Sequence, residues 1–173
     1  HNVVLAITRP DAPVGRKRHL APSEVAAAAT ELGIPILKSD RIGPSELQTI
    51  ESAQADVAIV VAFGSLIPTT ALKVLPWWNL HFSVLPAWRG ATPLQHSLIH
   101  KTGQGLSLFQ IEAALDTGPL LETVQLSHPT DQSSNQIMED LTRMGSQVIL
   151  RNLAHPPTPK PQTGEVSYAP KIV

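Results

Sequence analysis

The sequence has 173 residues, a formal net charge of -1 and no cysteine. Its length and its 42% hydrophobic content suit one domain with a buried core, and the near-neutral charge gives no global basic field for nucleic acid. The absence of cysteine excludes a disulfide framework, a thiol nucleophile and a cysteine-ligated zinc ion. No apolar run approaches the roughly 18 residues of a membrane span, and no signal peptide is visible, so we expect a cytoplasmic protein.

Strands and helices are predicted to alternate along the chain. Strands are predicted at Asn2–Thr8, Ile34–Leu37, Asp56–Ala62, a segment ending at Phe82, Gly105–Glu112 and "LLETVQLS" (120–127), and a loop at "RPDAPVGRKRHLAP". Helices are predicted at Ser23–Leu32, from a capping box at Ser45 and Gln48, at Thr69–Leu75, from Pro93, and over Gln132–Leu153. This order favours an α/β fold with a mostly parallel, doubly wound sheet flanked by helices.

Three polar loops follow predicted strands, namely "FGSLIP", "SVLPAWRGATP" and "AALDTGP". In parallel α/β sheets, ligands bind outside the carboxyl ends of the strands. We therefore expect these three loops to converge on one crevice.

Asn79 and His81 are the first candidates for a site in that crevice. Alternate residues of a strand point to the same side, so the carboxamide and the imidazole should face one way, directly before a loop rich in Pro and Gly. Asp116, in "LDTGP", is a second candidate. A single histidine is more often a surface or core residue than a functional one, and Asp-Thr-Gly is a common turn sequence. Neither feature alone is therefore sufficient evidence of a functional site.

Together, these motifs resemble those of the folate-dependent formyltransferases. "NLHFSVLPAWRGATPLQ" resembles their Asn-x-His-x-Ser-Leu-Leu-Pro-x-x-Arg-Gly segment, and "GLSLFQIEAALDTGP" resembles their segment that ends in Asp-x-Gly. "TRPDAPVGRKRHLAPSEV" and "SYAPKI" resemble the basic loop and the end of the catalytic domain in the members that act on initiator methionyl-tRNA. The resemblance spans nearly the whole chain.

The resemblance implies a Rossmann-like formyltransferase fold and transfer of a formyl group from 10-formyltetrahydrofolate to the amino group of methionyl initiator tRNA, for translation initiation. It assigns the catalytic roles to Asn79, His81 and Asp116. Asn79 and His81 would donate hydrogen bonds to the oxyanion, and Asp116 would orient the imidazole and help to move the amine proton. No metal is required, and we reject His96 and His100 as a zinc pair because no third ligand has a suitable context.

The resemblance also implies two sets of contacts. Folate would contact two segments, Phe63, Gly64, Ser65 and Leu66 in the first and Ser83, Val84, Leu85 and Pro86 in the second. The tRNA would contact Arg9, Arg16, Lys17, Arg18 and Arg89, although a basic run of this size is often only a solvated surface. Trp88 would pack the loop or form a floor for the incoming methionine or acceptor end.

The sequence departs from the family pattern at both ends. The family's first strand and its Gly-Thr-Pro loop have no counterpart before His1, and the C-terminal tRNA-binding barrel has none after Val173. We therefore expect residues 1–173 to be the catalytic domain, incomplete at its N-terminus, and a monomer. The alternatives are a sugar-nucleotide amine formyltransferase, a formyltetrahydrofolate hydrolase, or a catalytically dead folate-binding module.

Overall fold

A computed structural model describes residues 1–16, 18–126 and 132–172. The strands are β1 (Ala6–Thr8), β2 (Ala12–Val14), β3 (His19–Ala21), β4 (Ile36–Lys38), β5 (Ala58–Val60), β6 (Trp77–His81), β7 (Arg89–Gly90), β8 (Gly105–Gln110), β9 (Leu120–Gln125) and β10 (Tyr168–Ala169). The helices are α1 (Glu24–Glu31), α2 (Pro44–Ser52), α3 (Thr69–Leu72), α4 (Pro93–His100) and α5 (Ser134–Ala154). The chain divides into two compact units, unit 1 with residues 1–58 and 63–75, and unit 2 with residues 59–62 and 76–173.

In unit 1, β1 and β4 form a parallel pair, and α1 packs against both strands. Ser23 begins α1 by accepting a hydrogen bond at Oγ from the Ala26 amide, 3.0 Å away, as a side-chain N-cap should. The same Oγ lies 2.6 Å from the Thr8 hydroxyl at the end of β1. This buried contact ties the helix start to the strand end and confirms the predicted helix.

The basic segment after β1 is a β-hairpin, where the sequence predicted a loop. β2 and β3 pair antiparallel, with Ala12 opposite Ala21. The turn uses positive φ at Gly15 (70°) and Arg18 (50°), and the Arg18 amide donates to the Gly15 carbonyl at 3.1 Å. The N–H and C=O groups of this segment therefore find hydrogen-bond partners in the neighbouring strand, a pairing that the composition of the segment did not indicate. Lys17 lies outside the described residues.

In unit 2, one sheet has the strand order β5-β6-β8-β9. β8 runs antiparallel to both β6 and β9. The predicted α/β class with a mostly parallel sheet flanked by helices is confirmed, and the sheet is mixed because β8 runs against its two neighbours. For β8 and β9 the physical reason is their short connection, because a parallel crossover needs a dozen or more residues. Ser127, the last residue of the predicted "LLETVQLS" strand, lies outside the described residues.

Helix α5 covers one face of this sheet. Its apolar residues Leu141 and Val148 are buried, as are Leu106 and Leu108 of β8, which confirms the predicted amphipathic helix. A Cβ added at Gly145 would lie 2.5 Å from Leu80 Cδ2, so β6 passes close to the helix backbone at that point. Because Leu80 faces α5, Asn79 and His81 face the other side of the sheet.

The other helices begin close to their predicted starts. α4 begins at Pro93, which occupies a first-turn position as expected. α2 has Gly43 at its N-cap, where the amide donates to the Glu46 carboxylate at 3.0 Å, so the capping pair differs from the predicted Ser45 and Gln48. Within the described ranges, no helix is long and apolar enough to cross a membrane.

Candidate active site

His81 is the last residue of β6, and its side chain is only 4% exposed. Its Nε2 atom lies 2.9 Å from the Trp88 carbonyl oxygen. A carbonyl oxygen can only accept a hydrogen bond, so Nε2 must carry the proton. When the imidazole is neutral, Nδ1 therefore has the free lone pair, and any proton that the ring gains must bind there.

Asp116 lies beside that free nitrogen. His81 Nδ1 and Asp116 Oδ2 are 3.8 Å apart, and the aspartate side chain is 8% exposed. This separation is longer than a hydrogen bond but short enough for strong electrostatic interaction in a buried site. The structure therefore brings the two predicted residues together. Burial lowers the pKa of His81, and the opposing influence of the Asp116 charge is the smaller one.

The route by which Asp116 reaches His81 differs from the predicted convergence of parallel strand ends. His81 pairs with Ser107 near the start of β8, whereas Gln110, at the end of β8, pairs with Trp78. The connection after β8 must therefore fold back along the sheet. Asp116 adopts a positive φ of 52° there, and its Oδ2 accepts a hydrogen bond from the Gly90 amide at 2.8 Å.

Trp88 is held from several directions. Its amide donates to Ser167 Oγ at 2.9 Å, and its indole Nε1 donates to the Thr102 carbonyl at 2.8 Å. The indole ring stacks on His96 and His100, with ring centroids 5.5 and 4.8 Å away. These contacts fix the position of the Trp88 carbonyl, which orients His81. Of the two predicted roles of Trp88, the structure therefore shows the packing of the loop. His96 and His100 thus stack on the Trp88 ring. Among the described residues, no group of three His, Cys, Asp or Glu side chains could hold a metal ion.

The C-terminal segment after α5 pairs with the loop that carries Trp88. β10 pairs parallel with β7, placing Ala169 beside Gly90. The approach is so close that a Cβ added at Gly90, where φ is 130°, would lie 2.6 Å from the Ala169 carbonyl oxygen. Gln162 accepts hydrogen bonds from the Arg89 guanidinium, so this predicted tRNA contact is partly engaged within unit 2.

Sequence reasoning missed these supporting residues. Gln162 lies in the proline-rich stretch "HPPTPKPQTG", whose composition is typical of an extended surface segment, and Ser167 lies in a motif noted only for its family resemblance. The one available signal was the match of "SYAPKI" to the family, which indicated that this tail belongs to the same domain.

Asn79 lies on the same face of β6 as His81, where it is half-buried and pairs with Phe109 of β8. The Phe109 ring meets the His81 ring edge-on, with centroids 6.3 Å apart. This aromatic contact restricts the imidazole, and the strand alternation directs the carboxamide to the side on which Asp116 approaches.

The predicted folate-contacting segment Ser83–Pro86 is largely buried in unit 2, with Ser83 fully enclosed and Leu85 3% exposed. Ser107 Oγ accepts from the Leu85 amide at 2.9 Å and donates to the Ser83 carbonyl at 2.8 Å. The Val84 amide donates to the Gly103 carbonyl at 2.9 Å. The segment is thus a rigid wall beside the strand that carries His81.

The remaining predicted contacts lie in unit 1. In the segment Phe63–Leu66, Gly64 has a φ of 81° and Leu66 is 70% exposed. Arg9, Arg16 and Arg18 are exposed on or beside the hairpin. These side chains are accessible to a partner, as both sets of predicted contacts require.

Fold and site together define an α/β protein with a buried histidine–aspartate pair at the end of a sheet strand. Residues 1–153 match the family described as formyl transferase, and the chain belongs to this family. Methionyl-tRNA formyltransferase of Renibacterium salmoninarum is 45% identical over 99% of this chain and 58% of its own length, so the chain spans little more than half of that relative.

Two solved structures share the fold. Phosphoribosylglycinamide formyltransferase from Bacillus halodurans has a TM-score of 0.72 at 18% identity, covering 90% of this chain and 82% of its own. The formyltransferase PseJ from Anoxybacillus kamchatkensis, solved in complex with a formamido sugar nucleotide and tetrahydrofolate, has a TM-score of 0.69 at 16% identity, covering 96% of this chain and 85% of its own.

Proposed function

We propose that this protein transfers a formyl group from 10-formyltetrahydrofolate to the amino group of methionine on the initiator tRNA, in the cytoplasm, before translation begins. The observation that carries the proposal is the buried pair of His81 and Asp116, 3.8 Å apart, within a chain of the formyl transferase family. The choice of acceptor is supported by the relative that is 45% identical and is named methionyl-tRNA formyltransferase.

The reaction forms a C–N bond between the methionine nitrogen and the formyl carbon and breaks the C–N bond to the folate. The amine loses a proton and the leaving folate nitrogen gains one, so the protein has to move one proton and stabilise a transient oxyanion. Neither step changes the oxidation state of any group.

His81 is suited to the proton step. Because Nε2–H is directed at the Trp88 carbonyl, neutral His81 offers Nδ1 as the base, and burial lowers its pKa so that the neutral form prevails at pH 7. Once Nδ1 is protonated, the Asp116 carboxylate stabilises the imidazolium. The Nδ1–H group then donates a hydrogen bond to the oxyanion and finally transfers its proton to the leaving folate nitrogen.

Asn79 would supply a second donor to the oxyanion from the same face of β6. Two donors directed at the developing charge are the usual arrangement for acyl transfer, and their strength increases where water is excluded. Ser83–Pro86 would contact the pterin. Folate contact by Phe63–Leu66 stays a prediction. The same holds for tRNA contact by the basic residues, namely Arg9, Arg16, Lys17, Arg18 and Arg89.

A formylation assay with mass-spectrometric detection tests this function. The protein is incubated with 10-formyltetrahydrofolate and initiator tRNA, either charged with methionine or uncharged. We expect N-formylmethionine on the charged tRNA only. Formate release independent of tRNA would instead identify a hydrolase, formylation of an amino sugar nucleotide alone would identify another acceptor, and folate binding without turnover would identify a binding module.

A further inference from the structure

Gln162 makes an unusually complete set of contacts for a side chain in a proline-rich tail. Its Oε1 accepts from Arg89 Nε at 3.2 Å and from Nη2 at 2.6 Å. Its Nε2 donates to the carbonyl oxygens of Asp116 and Gly118, at 2.9 and 2.8 Å. The amide orientation follows from the network, because the reverse orientation would place the amide oxygen against two carbonyls and the amide nitrogen against a guanidinium.

We propose that Gln162 is a positioning residue, whose carboxamide holds the backbone of Asp116 so that its carboxylate lies beside His81. The proposal rests on the proposed function of this site. Asp116 is bound at both ends, by the Gly90 amide at its carboxylate and by Gln162 at its carbonyl. Gln162 does not touch the imidazole and acts through the aspartate.

The backbone of Asp116 lies in an irregular connection that Gln162 holds. Its φ of 52° is a left-handed conformation, which favours glycine and which Asp adopts more readily than most other residues with a side chain. Without the two Gln162 donors, the connection between β8 and β9 can relax and move the carboxylate away from Nδ1. Loss of geometry by about 1 Å is enough to slow an enzyme by roughly 100-fold.

Two substitutions separate the roles of the carboxamide. Gln162→Ala removes all its hydrogen bonds. Gln162→Glu keeps an acceptor for Arg89 but removes both donors and sets a negative charge against the Asp116 and Gly118 carbonyls. Gln147→Ala, the same change at an exposed position of α5, is the matched control.

The experiment measures kcat and KM for formyl transfer in the intact protein, with thermal melting to confirm that each variant is folded. We expect both Gln162 variants to lose about 10- to 100-fold in kcat, with KM for the formyl donor changed less than about twofold, and Gln147→Ala to match the wild type. Wild-type kcat in Gln162→Glu would overturn the proposal, as would a loss confined to KM. If the wild type itself transfers no formyl group, the proposed function fails instead.

If Gln162→Ala does not fold, Gln162→Glu and an activity-independent signal decide the question. The ¹⁵N chemical shifts of the His81 ring report on the charge beside Nδ1. We expect these shifts to change in Gln162→Glu and to stay unchanged in Gln147→Ala. Identical His81 shifts in the wild type and the Gln162 variant would overturn the proposal.

Discussion

His81 Nδ1 lies 3.8 Å from Asp116 Oδ2, while Nε2 of the same ring donates to the Trp88 carbonyl. The ring therefore cannot rotate without losing a hydrogen bond, and only the nitrogen beside the carboxylate is free to gain a proton. Because burial favours the neutral imidazole and Asp116 favours the charged one, the pair is arranged to take up a proton and release it again.

The lowered pKa of His81 predicts a pH-dependent stability. An unfolded histidine binds a proton below about pH 6.5, whereas the buried ring of the folded protein resists it until a lower pH. Between these two pKa values the unfolded chain binds the extra proton, so the free energy of unfolding falls as pH falls, by up to about 1.4 kcal/mol per pH unit from this group. Above about pH 6.5 this contribution is fully present.

Urea unfolding of the wild type and of His81→Gln at several pH values from 7.5 to 5.0 measures this contribution. We expect a shallower loss of stability below about pH 6.5 in the variant, since it lacks the titrating group. Equal slopes in the two proteins would show that His81 titrates alike in the folded and unfolded states.

Gly90→Ala should destabilise unit 2 more than Gly164→Ala does. Both glycines have positive φ, at 130° and 117°, so both substitutions strain the backbone, by about 1–2 kcal/mol. At Gly90 the new Cβ would also meet the Ala169 carbonyl oxygen at 2.6 Å, whereas at Gly164 the nearest atoms are 3.8 Å away. We expect about 1–3 kcal/mol of additional loss at Gly90 in denaturant unfolding. Equal losses would mean that β7 and β10 are not in close contact.

The basic hairpin provides a test of the acceptor. If Arg16, Lys17 and Arg18 bind acceptor-arm phosphates, changing all three to Ala should flatten the slope of log affinity against log salt by up to about 2–3 units, at roughly 0.7–0.9 per phosphate contact. The measurement is tRNA binding between about 50 and 200 mM salt. Arg41→Ala, an exposed arginine outside the hairpin, is the control and should keep the wild-type slope. An unchanged slope in the triple variant would identify the hairpin cations as a solvated surface only.

Local sequence signals predicted much of the fold. The spacing of apolar residues located α5, Pro93 located the start of α4, and the Ala-rich run from Ser23 to Leu32, followed by Gly33, located α1. Each of these features depends on contacts within a few residues along the chain. The hairpin of β2 and β3 was missed because its pairing depends on two turn residues with positive φ, one of which is an arginine.

The candidate site was predicted in its chemistry but not in its support. Motif resemblance located His81 and Asp116, and the structure brings them together. Gln162 and Ser167, which support the site, act through contacts between positions far apart in sequence. The third supporting group is the Trp88 carbonyl, a backbone group only seven residues from His81. Backbone carbonyls leave no signature in a sequence, and a glutamine in a proline-rich tail looks like a solvent-exposed residue until its partners are known.

A double-mutant cycle on the rate of formyl transfer tests most directly the claim that His81 and Asp116 act together. We expect His81→Ala to lower the rate by about 10²–10³-fold, with little change in folate affinity. Because Asp116 acts through the imidazole, adding Asp116→Ala to His81→Ala should slow the reaction little further. Wild-type turnover in His81→Ala, or a double variant slowed by the full product of the two single effects, would contradict the account.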